Sequence, residues 1–442
     1  MKAANVAVET RENAMSTVSR RSTFKLAAGL AAATALPNSV WAQAARTRLR
    51  MTWWGGTDRA KRTQAALDAY QKGNSGVEIA VETIGWGDYW TRLATQVAGG
   101  NAPDVIQMDY RYIYEYARRK SLRPLDEFMP SLINIADFGQ ANIDTGKVDG
   151  QVFGVSMGVN SNSLFYDRTT LERLKIAAPD HTTTWAQFAE KATAITKAAG
   201  KRGYFGTMDA ASVEPALEVW VRQRGRQLYD NDGKIGFTRD DIAEWFDYWD
   251  KLRRAGGAVA GDLQALYRNT PETDMLTTGR SAITFAHSNQ LVAWQAVNQN
   301  KLAMTMFPQA QSGKPGQYYK PSMLLSMSAT TPQPREAARI INFISVHPEA
   351  GAALGVERGV PPSKSMRDRL LAEVDELGKA QIEYISLIAN KVAALPPPPP
   401  KGAGEIQENL RRVYETISVG NAKVPQAADQ FMTEAKRTLE RA

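Results

Sequence analysis

Residues 99–110 read GGNAPDVIQMDY and combine a turn, an apolar strand and a polar strand exit. The paired glycines predict the end of a preceding helix, because glycine readily follows the last helical turn. The mostly apolar run from Asp104 to Met108 has the length of a strand that is covered on both faces. Helical spacing follows from Ile113 to Lys120. The stretch therefore predicts one strand–helix unit of a parallel sheet.

The same alternation extends towards the N-terminus. Apolar residues alternate at 49–53 and again at 77–81, which predicts two further strands. Residues 58–72 between them have helical spacing, and Asp88 is predicted to cap the next helix. Three successive strand–helix units favour a sheet with helices on both sides.

The middle of the chain is rich in helical patterns. Thr184 and Gln187 form a capping-box pattern, which predicts a helix start. Asn231–Gly233 predicts a tight hairpin. Trp245 and Trp249 repeat at helical spacing, so we interpret them as core residues rather than ligand contacts.

Residues 1–44 have the three parts of a secretory signal. Arg20 and Arg21 precede an apolar run from Leu26 to Leu36, and a small-residue cleavage pattern ends at Ala44. The arginine pair resembles the twin-arginine type, although Thr23 stands where that motif usually has Phe. The apolar run is shorter than the ~20 residues of a membrane span. We expect the mature chain to begin near Ala45 and to act in the periplasm.

Composition narrows the possible functions. The 442 residues contain no cysteine, which excludes disulfides, thiolate metal sites and a cysteine nucleophile. His181, His287 and His347 have no metal-ligand spacing, so no metal site is predicted. The net charge of +8 is spread thinly, whereas nucleic-acid binding favours a clustered basic face. No strand is followed by a dinucleotide fingerprint, and no cofactor is expected. A chain of this length predicts more than one core.

Five stretches of the chain carry a family pattern when they are taken together and in order. They are WWGG at 53–56, GNAPDV at 100–105, VFGVSM at 152–157 with Asn160 and LFYD at 164–167, GRSAIT at 279–284, and INFI at 341–344 continuing through HPEA at 347–350 to ERGVP at 357–361. This pattern resembles the extracellular solute-binding proteins of carbohydrate ABC importers, the large family that includes maltose-binding protein. Departures are Ser75, where many relatives have Pro, and the prolines at 396–400.

The resemblance implies an α/β, two-lobed periplasmic-binding-protein fold. Each lobe is expected to be a mostly parallel sheet flanked by helices, and ligand is expected in the cleft between lobes that close by a hinge motion. Expected boundaries are residues 45–156 plus 324–361 for the N-terminal lobe and 157–323 plus 362–442 for the C-terminal lobe. Crossing segments are expected near Val155–Val159, Lys320–Leu324 and Val360–Ser363.

A sugar site combines aromatic faces with hydrogen-bonding side chains, and in such sheets it lies beyond the strand C-termini. Each of the first three predicted strands ends in residues of these types. The candidates there are Trp54, Gly55, Thr57, Trp86, Asp88, Asp109 and Tyr110. Of the adjacent pair, Trp54 rather than Trp53 is expected to face the cleft, because successive strand residues face opposite sides.

Further candidates come from the predicted second lobe and the crossing segments. They are Asn160, Trp220, His287, Ser288, Asn289, Tyr319 and Arg358. A structural hydrogen bond is the alternative interpretation of His287, and an interlobe salt bridge is the alternative for Arg358.

The resemblance and the residues at the strand exits favour a catalytically inert, monomeric binding protein over two other classes. It would capture a sugar, oligosaccharide or glycoside and deliver it to permease subunits in the inner membrane. The rival is a periplasmic glycan-acting hydrolase or lyase that uses Asp88 and Asp109 as an acid/base pair. A scaffold protein would not need aromatic and polar side chains at three strand exits.

Overall fold

A computed structural model describes residues 46–267 and 270–441. The signal sequence predicted at residues 1–44 lies outside these residues. The described chain forms twelve strands. They are β1 (Thr47–Trp54), β2 (Val77–Ile84), β3 (Val105–Met108), β4 (Leu122–Arg123), β5 (Lys147–Val148), β6 (Gln151–Val152), β7 (Val155–Asn160), β8 (Asn162–Asp167), β9 (Phe205–Thr207), β10 (Ser281–His287), β11 (Leu302–Thr305) and β12 (Lys320–Ser328).

Sixteen α-helices accompany these strands in the part of the chain that is described. They are α1 (Thr57–Gly73), α2 (Trp86–Ala98), α3 (Tyr110–Arg118), α4 (Gln140–Asp144), α5 (Arg168–Leu174), α6 (Trp185–Ala199), α7 (Glu214–Gln223), α8 (Arg239–Arg254), α9 (Gly261–Gln264), α10 (Leu291–Ala296), α11 (Pro334–Val346), α12 (Pro348–Leu354), α13 (Lys364–Leu370), α14 (Glu376–Leu387), α15 (Ala403–Ser418) and α16 (Val424–Arg441). In residues 46–267 and 270–441, no helix combines the length and apolarity needed to cross a membrane.

The first sheet has the strand order β2-β1-β3-β12-β4, and β7 pairs with β12. The strands β1, β2 and β3 run parallel, as the alternating sequence pattern predicts. Met51 and Trp53 are almost fully buried, because helices cover the sheet on both faces. The strand β12 runs antiparallel to β3, β4 and β7.

The second sheet has the order β11-β8-β10-β9. Only the pair β9–β10 is parallel, whereas β8 runs antiparallel to both β10 and β11. The expected α/β class is therefore confirmed, but both sheets are mixed in direction rather than mostly parallel. The reason is the path of the chain, because β8 and β12 enter their sheets from segments that cross between the two sheets.

Three segments connect the two sheets at close range. The strand β7 ends at Asn160 and β8 begins at Asn162, so the chain passes from one sheet to the other through Ser161. The buried Ser161 hydroxyl donates to Tyr318 O at 2.9 Å, next to the start of β12. A third segment forms an isolated bridge between Val159 and Val360. These positions coincide with the expected crossings, while the exact lobe boundaries stay a prediction.

Each sheet has its own hydrophobic core. Trp245 and Trp249 are completely buried in the core of the second sheet, as expected from their spacing. The capping box of Thr184 and Gln187 is confirmed at the start of α6.

One local prediction is wrong. Gly85, not Asp88, is the N-cap residue of α2, and Asp88 lies in the first helical turn, where its charge still favours the helix dipole.

The predicted hairpin around Asn231–Gly233 is present in a short form. Tyr229 and Ile235 make an antiparallel bridge, and Gly236 N donates to Leu228 O at 3.1 Å.

Candidate functional site

A cavity of about 330 Å³ lies where the ends of both sheets meet. We call it the cleft cavity. Its lining combines residues at the ends of β1, β3 and β7, residues of β12 and β10, and the segment before the third crossing. They are Trp54, Arg59, Asp109, Tyr110, Arg111, Asn160, His287, Asn289, Gln290, Lys320, Pro321, Ser322, Met323, Glu357, Arg358 and Gly359.

An aromatic cluster adjoins one wall of the cleft cavity. Trp54 lines the cavity, and its ring meets Trp86 edge-on at a centroid distance of 5.1 Å. Trp90 stacks on Tyr112 at 3.8 Å and also contacts Trp86. Trp86 does not line the cavity, but 42% of it is exposed. A flat apolar surface of this kind suits the C–H face of a sugar ring.

Several polar atoms in the cavity wall have no hydrogen-bond partner within the protein. They are Asn160 Oδ1, His287 Nδ1, and Nε and Nη1 of Arg358, and all four atoms are buried. An unpaired buried polar group costs about 1–3 kcal/mol, so such atoms are normally satisfied by protein, water or ligand. Their clustering around one cavity marks the places where a polar ligand would find hydrogen-bond partners.

The charged groups of the cavity are perturbed by burial. Burial lowers the pKa of His287 to about 3, and the positive charge of Lys320 adds to this, so the imidazole is neutral at physiological pH. Burial also lowers the pKa of Arg358 to about 9, with a further contribution from Arg59 that Glu357 partly offsets. Burial raises the pKa of Asp109. Perturbed groups concentrated in one cleft are typical of a functional site.

One ion pair fixes the edge of the cavity. Arg59 Nε, in the first turn of α1, donates to Glu357 Oε1 at 2.8 Å. Arg358 lies next to this pair, is 2% exposed and donates through Nη2 to Thr63 Oγ1 at 2.7 Å. The segment before the third crossing is thereby attached to α1.

Seven of the fourteen candidate residues from the sequence lie together in the cleft cavity. They are Trp54, Asp109, Tyr110, Asn160, His287, Asn289 and Arg358. The alternative interpretation of Arg358 as part of a salt bridge also has support, because its Nη1 lies 3.6 Å from Glu357 Oε2.

Two buried candidates lie away from the cavity. Trp220 packs in the core of the second sheet, edge-on to Trp185 at 5.1 Å, and its ring lies under the Arg224 guanidinium at 3.5 Å. Tyr319 donates its hydroxyl to Ile385 O at 3.1 Å inside a separate apolar cluster. Both side chains point into these apolar clusters, which corrects their assignment to the cleft.

The remaining candidates have local structural positions outside the cavity lining. Ser288 is buried, and its Oγ accepts from Ser161 N at 3.1 Å. Thr57 and Asp88 are exposed in the first turns of α1 and α2. Gly55 has a φ of 155° and lies against the Arg59 side chain, where a larger residue would clash.

Four charged lining residues were missed by the sequence analysis. Arg111, Lys320 and Glu357 are adjacent to Tyr110, Tyr319 and Arg358, which were proposed. The alternation of strand side chains would have pointed to Lys320 once Tyr319 was assigned to the core. Arg59, the fourth, offers no such signal, because it lies within α1 rather than at the end of a strand.

No group of three or more metal-ligating side chains occurs in residues 46–267 and 270–441. The rival enzyme hypothesis needs Asp88 and Asp109 as a pair at one site. Only Asp109 lines the cleft cavity.

Comparison with known proteins agrees with the two-lobed fold and its cleft. Residues 65–379 match the family described as bacterial extracellular solute-binding protein, and this chain belongs to that family. It is 31% identical to an extracellular solute-binding protein family 1 from Alicyclobacillus acidocaldarius subsp. acidocaldarius DSM 446, over 89% of this chain and 99% of that chain, with a TM-score of 0.82.

Two more distant proteins are also similar. A periplasmic oligogalacturonide binding protein from Yersinia enterocolitica shares the fold, with 20% identity, 89% of this chain and 99% of that chain covered, and a TM-score of 0.75. A curated binding protein from Brucella abortus (strain 2308) is 20% identical over 178 residues. That match spans 40% of this chain and 42% of the Brucella protein.

Proposed function

We propose that this protein is the substrate-binding component of an ABC transporter. It captures a sugar, oligosaccharide or glycoside between its two lobes by hinge closure and delivers it to permease subunits in the inner membrane. It acts as a monomer in the periplasm, after removal of the signal sequence predicted at residues 1–44. Membership of the solute-binding family supports the transport role.

The observation that carries the carbohydrate proposal is the composition of the cleft cavity. Its wall combines Trp54 with buried polar atoms of Asn160, His287 and Arg358 that lack protein partners. A sugar supplies both a C–H face for the aromatic ring and hydroxyls that donate and accept hydrogen bonds. The oligogalacturonide-binding activity stated for the Yersinia protein of the same fold adds support.

Replacing Asn160 by Ala tests this assignment. Because Asn160 Oδ1 has no partner in the protein, its removal is expected to leave the melting temperature of the free protein unchanged or slightly raised. Loss of a hydrogen bond to the ligand is expected to weaken binding about tenfold. Calorimetry and thermal-shift titration against a panel of neutral and acidic mono- and oligosaccharides measure both quantities.

Asn421→Ala is a matched control, because Asn421 is exposed in the segment between α15 and α16 and does not line the cavity. It is expected to bind as the unmodified protein does. Equal affinity of Asn160→Ala and the unmodified protein for a bound sugar would remove Asn160 from the site. Turnover of a glycoside without stoichiometric binding would replace the binder by the rival enzyme.

A further inference from the structure

The cleft cavity is lined by more positive than negative side chains. Among its lining residues, the four basic side chains outnumber the two carboxylates. They are Arg59, Arg111, Lys320 and Arg358 against Asp109 and Glu357. The neutral imidazole of His287 does not alter this balance.

Both lining carboxylates are already bound within the protein. Glu357 accepts from Arg59 Nε through both carboxylate oxygens, at 2.8 and 3.2 Å. Asp109 is the N-cap of α3, and its Oδ1 accepts from the backbone N of Arg111 at 2.9 Å. Glu357 is thereby shared by Arg59 and, at 3.6 Å, Arg358, while the charge of Asp109 acts on Arg111 and Lys320. The lining still has two more positive than negative side chains.

Lys320 and Arg111 are neighbouring cations without a close ion pair, and Asp109 is the lining carboxylate whose charge acts on both. Among residues 46–267 and 270–441, no carboxylate oxygen lies within 4.0 Å of either side-chain cation. Burial lowers the pKa of Lys320, and the positive charge of Arg111 is the next cause. Two like charges held side by side repel each other, so an anion bound between them would be stabilised.

Two carboxylates of α7 offset this charge from a distance. Glu214 and Glu218 do not line the cleft cavity, although both raise the pKa of Lys320. Glu218 Oε2 accepts from the Tyr318 hydroxyl at 2.8 Å. Burial and the charge of Glu218 raise the pKa of Glu214 to about 7, so Glu214 is only partly ionised near neutral pH.

Hydrogen-bonding groups for an uncharged part of a ligand adjoin the cation pair. Lys320 lies directly opposite Asn160 in the register of β12 and β7. The unpaired Oδ1 of Asn160 and the unpaired Nδ1 of His287 line the same cavity. The cavity thus offers positive charge and hydroxyl partners side by side.

We propose that the ligand is an acidic sugar whose carboxylate binds between Lys320 and Arg111. This inference rests on the carbohydrate-binding function proposed above and adds the charge of the ligand to it. An ammonium and a guanidinium provide strong, charge-assisted hydrogen bonds to a carboxylate. Asn160 and His287 would then pair with hydroxyls of the same sugar ring.

Binding of charged and neutral forms of one sugar tests the inference. The probes are galacturonic and glucuronic acids and their disaccharides, each measured by calorimetry beside its methyl ester, which keeps the ring and removes the charge. We expect at least one acid to bind about tenfold or more tightly than its ester. Equal or tighter binding of the esters would overturn the inference.

A substitution at Lys320 tests whether the preference for the acid over its ester depends on the Lys320 ammonium. Lys320→Met keeps an unbranched side chain without the charge, and it is expected to weaken binding of the acid about tenfold while leaving the affinity for the ester unchanged. Lys320→Arg is expected to retain most of the affinity. Lys301→Met, at an exposed lysine outside the cavity, is the matched control.

The outcomes separate the two proposals. Unchanged binding of the acid by Lys320→Met would overturn the placement of the carboxylate between Lys320 and Arg111. Binding of neutral sugars alone would overturn the proposal of an acidic ligand, whereas the carbohydrate-binding function would stand. Failure of every acidic and neutral sugar to bind would overturn the carbohydrate function and this inference together.

Discussion

Tyr319 and Lys320 are adjacent in sequence and have opposite environments. The tyrosine hydroxyl bonds to Ile385 O in an apolar cluster, whereas the lysine lines the cleft cavity. Successive side chains of an extended segment face opposite sides, so one residue of the pair had to be buried. Tyr319 was the predicted ligand contact because it adjoins the second crossing segment, and its neighbour Lys320 is the residue that lines the cavity.

Asp109 has a structural role in addition to its place in the cavity. Its side chain caps α3, so Asp109→Ala is expected to lower the free energy of unfolding by about 1 kcal/mol. Asp109→Asn is expected to keep the cap, because Asn is as good an N-cap residue as Asp. Urea unfolding followed by circular dichroism measures the difference.

Asp88→Ala is the control for this comparison. Asp88 is exposed in the first turn of α2 and is not the cap, so its loss is expected to cost less than that of Asp109. An equal loss of stability in Asp109→Asn and Asp109→Ala would show that the capping bond contributes nothing measurable.

At the scale of elements, the crossing segments are packed too closely for larger side chains. A Cβ at Gly158 in β7 would overlap the backbone oxygen of Arg358 and lie 2.8 Å from Ser322 Oγ. Gly158 and Ser322 lie in the first two crossing segments and Arg358 just before the third, and Ser322 Oγ also donates to Gly158 O at 2.9 Å.

Gly158→Ala is therefore expected to destabilise the protein by about 1–3 kcal/mol, because the crossing segments must move apart. Gly404→Ala is the control, since nothing lies within 4 Å of a Cβ at that position in α15. Ala is the better helix former, so the control is expected to be neutral or stabilising. Thermal unfolding compares them, and equal melting temperatures would contradict close packing at the crossing.

The elements that sequence analysis predicted best are those with local signals. The strands β1 to β3 and the helix α6 have strong patterns, since burial fixes the apolar positions and a capping box marks the helix start. Strand direction in both sheets was less predictable. It depends on which distant segments pair, and the printed order of residues contains no direct signal for the pairing of β12 with β3.

The residues of the candidate site were also predictable only where a local sequence signal marked them. Trp54, Asp109 and His287 were found because they follow strands, and the ends of strands meet at one edge of a sheet. Arg59 and Glu357 were missed, because the 2.8 Å contact between them joins residues almost 300 positions apart. Trp220 was selected for its chemistry, which is equally suited to the core that it occupies.

At the scale of the whole molecule, β12 completes the first sheet from far along the chain. It lies between β3 and β4 and also pairs with β7. A fragment of residues 46–319 lacks β12. The edges of β3 and β7 that pair with β12 in the intact protein are then left without partners. We expect it to be unable to form a stable first sheet.

Hydrogen exchange tests this expectation on fragments 46–319 and 46–328 and on the intact protein. Amides of β1 and β3 are expected to exchange rapidly in the shorter fragment, more slowly in the fragment that includes β12, and most slowly in the intact protein. Equal protection of β1 and β3 in the two fragments would mean that the sheet is stable without β12.

The position of β12 also sets an order of events during synthesis. The strands β1, β2 and β3 leave the ribosome more than 200 residues before the strand that β3 requires as its neighbour. Until Ser328 has emerged, their apolar residues can collapse but cannot reach the final pairing. A newly made chain therefore stays incompletely folded for most of its translation, and the late arrival of β12 lengthens the period in which chaperones can bind it.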